Sequence, residues 1–101
     1  MYAYSMRIAE PIENYHALHR AIVEIAGENL DGLILHYAHP TPEGFAITEI
    51  WQDKEQLEAF NRNVLPQVLQ FSGVTLGEAP PEVTEFDPVV VITPRAFSSD
   101  R

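Results

Sequence analysis

From Tyr2 to Ala9, bulky side chains alternate with small or polar ones. Tyr2, Tyr4, Met6 and Ile8 are large, and Ala3, Ser5, Arg7 and Ala9 stand between them. A period of two predicts a strand with two unlike faces. The pattern then changes. After Pro11, which suits a first helical turn, Tyr15, Leu18, Ile22 and Ile25 recur at intervals of three and four. This predicts an amphipathic helix over roughly 12–28 that ends near Gly27. Leu33 to His39 and Phe45 to Trp51 are two further β-prone runs around the turn segment Pro40-Thr-Pro-Glu-Gly44, whose glycine can take a positive φ. The short loop makes the two runs an antiparallel hairpin.

Asp53 opens a second helix, with Gln56 placed to complete a cap and Leu57, Phe60, Val64 and Val68 forming the stripe. Pro66 falls inside that stripe and predicts a break near 63–66. Residues 72–81 form a connection rich in glycine and proline. Glu82 to Asp87 is a fourth strand, and Pro88 after it suits a sheet edge. Val89 to Thr93 is also β-prone, and 94–101 reads as a frayed tail.

The order β-α-β-β-α-β is the split βαβ, or ferredoxin-like, arrangement. It is an α+β fold with a four-stranded antiparallel sheet and both helices on one face. Residues 1–93 make one such domain. With the turn centred near Pro42, Leu33, Leu35, Tyr37, Phe45, Ile47, Glu49 and Trp51 share the helix-covered face. Ile34, His36, Ala38, Ala46, Thr48 and Ile50 take the other. That second face is too apolar to stay wet, so a second copy of the chain is expected to cover it, giving a homodimer. Val89 to Ile92 also need cover, either by extending the fourth strand or by crossing to the partner sheet.

Composition narrows the partners. The 101 residues carry six Lys or Arg against 15 Asp or Glu, a formal charge of −9. Such a field repels phosphate and anionic lipid, so neither nucleic acid nor a membrane surface is an expected partner. With no cysteine there is no thiolate chemistry and no disulfide. No leader-like segment or long apolar run is evident, which places the chain in the cytoplasm.

The segment Ile47-Thr-Glu-Ile-Trp-Gln-Asp-Lys-Glu-Gln-Leu-Glu-Ala-Phe60, within this element order, resembles the dimeric α+β-barrel superfamily and its antibiotic-biosynthesis-monooxygenase-like branch. Glu49-Ile50-Trp51 matches the strand-ending Glu-x-Trp pattern, with Phe60 in the following helix, then Pro66, and Pro81-Glu-Val83 opening the last strand. The resemblance covers about residues 2–88. It implies a pocket between sheet and helices, and in some members oxidation of aromatic substrates by dioxygen without metal or flavin. A haem-degrading branch would carry asparagine, tryptophan and histidine where Met6, Phe60 and Gln70 stand here, and Gln70 cannot serve as an imidazole ligand to iron.

Glu49 is the expected catalytic group. Between Ile47 and Trp51, burial would raise its pKa and make it a base; an ordinary ion pair, with Arg62 for example, or a cap to the second helix is the alternative. Tyr37 is the second catalytic candidate and Tyr4 a substrate-orienting one, although each phenol serves equally as a large hydrophobe. Met6, Trp51, Phe60 and Val64 would line the substrate wall. His16 and His19 are expected on the solvent side, and His36 at the sheet–sheet face as an interface hydrogen-bonder. The histidine spacings do not make a metal site, and no nucleotide- or flavin-binding loop is present. The reading is a cofactor-independent monooxygenase acting on a small aromatic such as a quinol or anthrone. The rivals are a non-catalytic dimer that binds small hydrophobes or is purely structural, and an isomerase or decarboxylase on the same fold.

Overall fold

The computed structural model describes residues 1–27, 30–74 and 80–92. The elements are β1 (Tyr2–Ile8), α1 (Ile12–Ala26), β2 (Leu33–Pro40), β3 (Phe45–Trp51), α2 (Lys54–Asn63), α3 (Leu65–Ser72) and β4 (Glu82–Phe86). The sheet order is β2-β3-β1-β4, antiparallel throughout. This is the ferredoxin-like α+β arrangement that the element order predicts.

Local chemistry sets the boundaries. Pro11 is the N-cap of α1, and Gly27, at a φ of 59°, ends it. The Asp53 side chain accepts the Gln56 backbone N–H at 2.9 Å and so caps α2. The expected break falls at Val64, where α2 stops and α3 begins with Pro66 in its first turn. There the missing N–H costs nothing. Gly73, in the left-handed region, closes α3.

β3 is buried along its whole length, whereas β4 is exposed at every residue, as befits an edge. On the helix side, Tyr2, Tyr4, Met6 and Ile8 pair with Trp51, Glu49, Ile47 and Phe45. On the open side Ser5 and Thr48 hydroxyls meet at 2.8 Å.

The hairpin departs from its expected register. Thr41 and Gly44 exchange backbone hydrogen bonds at 2.9 and 3.2 Å, leaving Pro42 and Glu43 as a two-residue loop. That centre lies half a residue beyond Pro42, and the shift reverses the faces of the neighbouring strand. His36 therefore pairs with Glu49 and Ala38 with Ile47, on the helix side, while Tyr37 pairs with Thr48 on the open side. A bulge at Ile34 then takes up one residue and returns Leu33 to Trp51. The expected facing of Leu35, Tyr37, His36 and Ala38 is thus reversed, and that of Leu33 holds. Gly44 does not adopt a positive φ. Its role is close approach, since a Cβ there would collide with the backbone of Ile8 and Glu10.

Val89 to Ile92 form no strand. Phe86 already pairs with Ala3, and β1 begins at Tyr2, so the chain past Asp87 has run off the end of its partner. Val89, Val90 and Ile92 stand 97%, 68% and 79% exposed. Thr93, the tail at 94–101 and part of the 72–81 connection lie outside the described residues.

Candidate functional site

Between the sheet and the three helices lies a cavity of about 380 Å³. Its floor is the helix-side row of β1 and β3, and its roof comes from Tyr15, Leu18 and Ile22 of α1, Leu57 and Phe60 of α2, and Val68 and Leu69 of α3. The wall is mostly apolar, with one polar cluster at its centre.

That cluster is built on Glu49, which is 9% exposed. Glu49 Oε1 accepts from the Tyr4 hydroxyl at 2.6 Å and from Trp51 Nε1 at 2.9 Å. Its Oε2 lies 2.6 Å from His36 Nδ1. On the far side of the ring, His36 Nε2 is 2.8 Å from the Tyr15 hydroxyl. The Tyr15 ring lies nearly parallel to the imidazole, at 13° and 6.0 Å between centroids, and leans on Phe45. Three strands and one helix thus converge on one carboxylate: β1 brings Tyr4, β2 brings His36, β3 brings Glu49 and Trp51, and α1 brings Tyr15.

Burial pushes the Glu49 carboxyl up, but the hydrogen bonds from His36, Tyr4 and Trp51 and the charge of His36 outweigh it, and the group settles below its ordinary 4.5. The expected upward shift is therefore not found. Burial first, and then the nearby Glu49 charge, raises the Tyr4 and Tyr15 phenols above 10.0. Glu49 is thus an anion at neutral pH and both tyrosines are neutral donors. An ionised carboxylate only accepts, so His36 Nδ1 must carry a proton. In the neutral ring Nε2 is then the basic nitrogen, and it accepts from the Tyr15 hydroxyl at the cavity wall.

The downward shift has a consequence for stability. Glu49 contributes fully above about pH 4.5, and that contribution disappears as the pH falls through its lower folded value. Urea midpoints measured between pH 6 and pH 3 are expected to fall below pH 4.5, and to fall less steeply in Glu49→Gln. Equal slopes would show that the carboxylate is not held as described.

Tyr4, Met6, Phe60 and Glu49 line the cavity. Trp51 is 1% exposed and borders a second, smaller cavity instead, its ring 5.8 Å from that of Phe60. Val64 is taken up as the junction of α2 and α3 and is not in the lining. Tyr37 lies on the open face, 50% exposed, away from Glu49. The partner of Glu49 is His36, not Arg62, which is exposed. His36 and Tyr15 are the residues that sequence reasoning misses. His16 and His19 are solvent-exposed as expected. Among the described residues no group of three or more His, Asp or Glu could hold a metal ion, and no helix is long and apolar enough to cross a membrane.

At the cavity rim the Tyr2 hydroxyl donates to Glu85, and Lys54 lies 3.5 Å from the same oxygen. This contact ties edge strand β4 to the start of α2.

Comparison with solved structures places the fold. A candidate antibiotic biosynthesis monooxygenase from Chloroflexus aurantiacus superposes with a TM-score of 0.65 at 19% identity, covering 91% of this chain and 96% of that one. The two chains share one fold. A second such candidate, from Deinococcus radiodurans, gives 0.56 at 20% identity over 95% of this chain and 100% of that one. A haem degrader from Mycobacterium tuberculosis, with two haems bound in its active site, gives 0.55 at 17% identity over 92% and 100%. In the present chain Gln70 is exposed and outside the cavity lining. No family model and no curated protein matches the sequence.

Proposed function

We propose that this chain is a cofactor-independent oxygenase for small, weakly acidic aromatics of the quinol or anthrone class, working in the cytoplasm. The observation that carries the reading is the 2.6 Å contact between His36 Nδ1 and Glu49 Oε2 on the wall of an apolar cavity. A carboxylate that fixes the tautomer of an imidazole leaves the opposite nitrogen as a general base, the arrangement best suited to removing a proton from a bound substrate. Glu49 then acts as a positioning residue and His36 as the base, with Tyr15 and Tyr4 as phenolic donors beside them. Met6 and Phe60 supply the apolar wall.

For anthrone the balance closes without another reductant. His36 Nε2 takes a proton from the methylene carbon, and the resulting carbanion passes one electron to dioxygen. Radical and superoxide combine into a peroxide at that carbon. Loss of the second hydrogen with cleavage of the O–O bond leaves the carbonyl, and the oxygen that departs becomes water. The proton held on His36 neutralises the leaving hydroxide.

The test is oxygen uptake with anthrone as probe. One dioxygen should disappear per anthraquinone formed, and His36→Gln should lower the rate by roughly 10²–10⁴-fold. Turnover without oxygen uptake would favour an isomerase or decarboxylase. Tight anthrone binding with no turnover would favour a binding protein.

The active unit in this proposal is a homodimer joined through the open face of the sheet. Tyr37 and Phe86 stand 50% and 41% exposed there, around the buried Ala3 and Ile50. Size-exclusion chromatography with light scattering should give about twice 11.4 kDa. A single species at the monomer mass would overturn the dimer.

A further inference from the structure

A second cavity, of about 220 Å³, lies against the first. Ile22, His36, Glu49 and Phe60 line both, so the partition between them is one side chain thick. Beyond the partition the smaller space is bounded by Val23, Leu30, Leu33 and Trp51. We propose that this smaller cavity is a dioxygen antechamber, a separate seat for the gas beside the base. The inference rests on the oxygenase reading and deepens it.

Two observations and one requirement of the proposed reaction support it. The smaller cavity is walled mainly by apolar side chains, with His19 at its mouth, and the polar groups on the partition are engaged with one another: Trp51 Nε1 with Glu49, and the nitrogens of His36 with Glu49 and Tyr15. A space walled mainly by Ile22, Val23, Leu30, Leu33 and Phe60 takes up small apolar molecules. It also has its own approach from solvent, since Val23 is 55% exposed and His19 beside it is exposed, whereas the larger cavity is bordered by Pro81 and Val83 on the opposite side of the partition. Finally, the proposed reaction needs a flat aromatic and dioxygen at one place. An aromatic that fills the larger cavity closes that route to the gas, while rotation of Ile22 or Phe60 opens the partition on the timescale of side-chain motion.

Xenon serves as the probe, with Leu33→Phe as the filling variant and Val23→Phe as a second should the first fail to fold. Pressurised crystals of the unaltered protein should show xenon between Val23 and Leu33, and the filled variant should lose it. In oxygen-uptake assays with anthrone, the filled variant should raise the KM for dioxygen about tenfold, with kcat at saturating oxygen and the KM for anthrone within about twofold. Xenon confined to the larger cavity, or an unchanged KM for dioxygen in a variant shown to be filled, would overturn the antechamber while leaving the oxygenase reading intact. Failure of that reading looks different: the unaltered protein would consume no oxygen with anthrone whatever the xenon shows, and the dioxygen role would fall with it.

Discussion

Glu49→Gln is expected to lower oxygen-dependent turnover by roughly 10²–10⁴-fold and stability by about 1–3 kcal/mol. The reason lies in the direction of the protons. The carboxylate accepts three hydrogen bonds, from Tyr4, Trp51 and His36. A glutamine oxygen can still serve Tyr4 and Trp51, but its amide then turns N–H groups toward His36 Nδ1. Two donors cannot share a proton, so the imidazole must change tautomer, accept at Nδ1 and carry its proton on Nε2. The cavity-facing nitrogen is then no longer a base. Nitrogen NMR of the imidazole reads this switch independently of activity, and an unchanged tautomer together with unchanged turnover would rule out the positioning role. Combined with His36→Gln, the second substitution should cost little more than the first, because the two side chains act as one unit.

Trp51→Ala should be the most damaging change to the fold itself, costing about 3–5 kcal/mol. The indole is 1% exposed, lies opposite Tyr2 and Leu33 in the sheet, and packs on Phe60 of α2. It closes the corner where β3 hands over to the second helix. A loss of that size is a large share of what a domain of this length has. Trp51→Phe retains the ring contact and forfeits the bond to Glu49, so it should cost clearly less. Because Trp51 is the one tryptophan of the chain, urea unfolding of both variants is followed by circular dichroism. Equal midpoints for the two variants would show that volume at this corner matters little.

These two residues illustrate how far the sequence could be read. Period and punctuation are local properties, and they place each described strand and helix to within a residue or two, although the β-prone run from Val89 to Ile92 forms no strand. Asp53 capped the helix it was expected to cap, and Pro66 divided the pattern where a missing N–H predicts. The partner of Glu49 was hidden because it depends on where a turn is centred. Placing that centre on Pro42 instead of between Pro42 and Glu43 sends His36 to the wrong side of the sheet, and the pattern around it does not object, since Ile34 and Ala38 suit either face. Proline at the second position of the turn and glycine at the fourth were the available signal for a two-residue loop. Tyr15 was hidden for another reason: at helical spacing a tyrosine reads as core, and only the packed helix shows its hydroxyl over a ring nitrogen. The sign of the Glu49 shift is not legible in the sequence, because neighbours in the strand reveal burial, whereas three donors arriving from β1, β2 and its own strand show only in the fold.

The bulge at Ile34 also governs how this chain lines up with others. β2 carries one residue more than its ladder uses, since Leu33 and Leu35 pair with the consecutive residues Trp51 and Ile50. A relative with an unbroken strand would have one residue fewer between Gly32 and His36, with the same side chains entering the cavity. Two such chains superpose in space while their sequences fall out of step by one position. A gap-free alignment through that strand would then set Leu35 or Tyr37 against the histidine that matters.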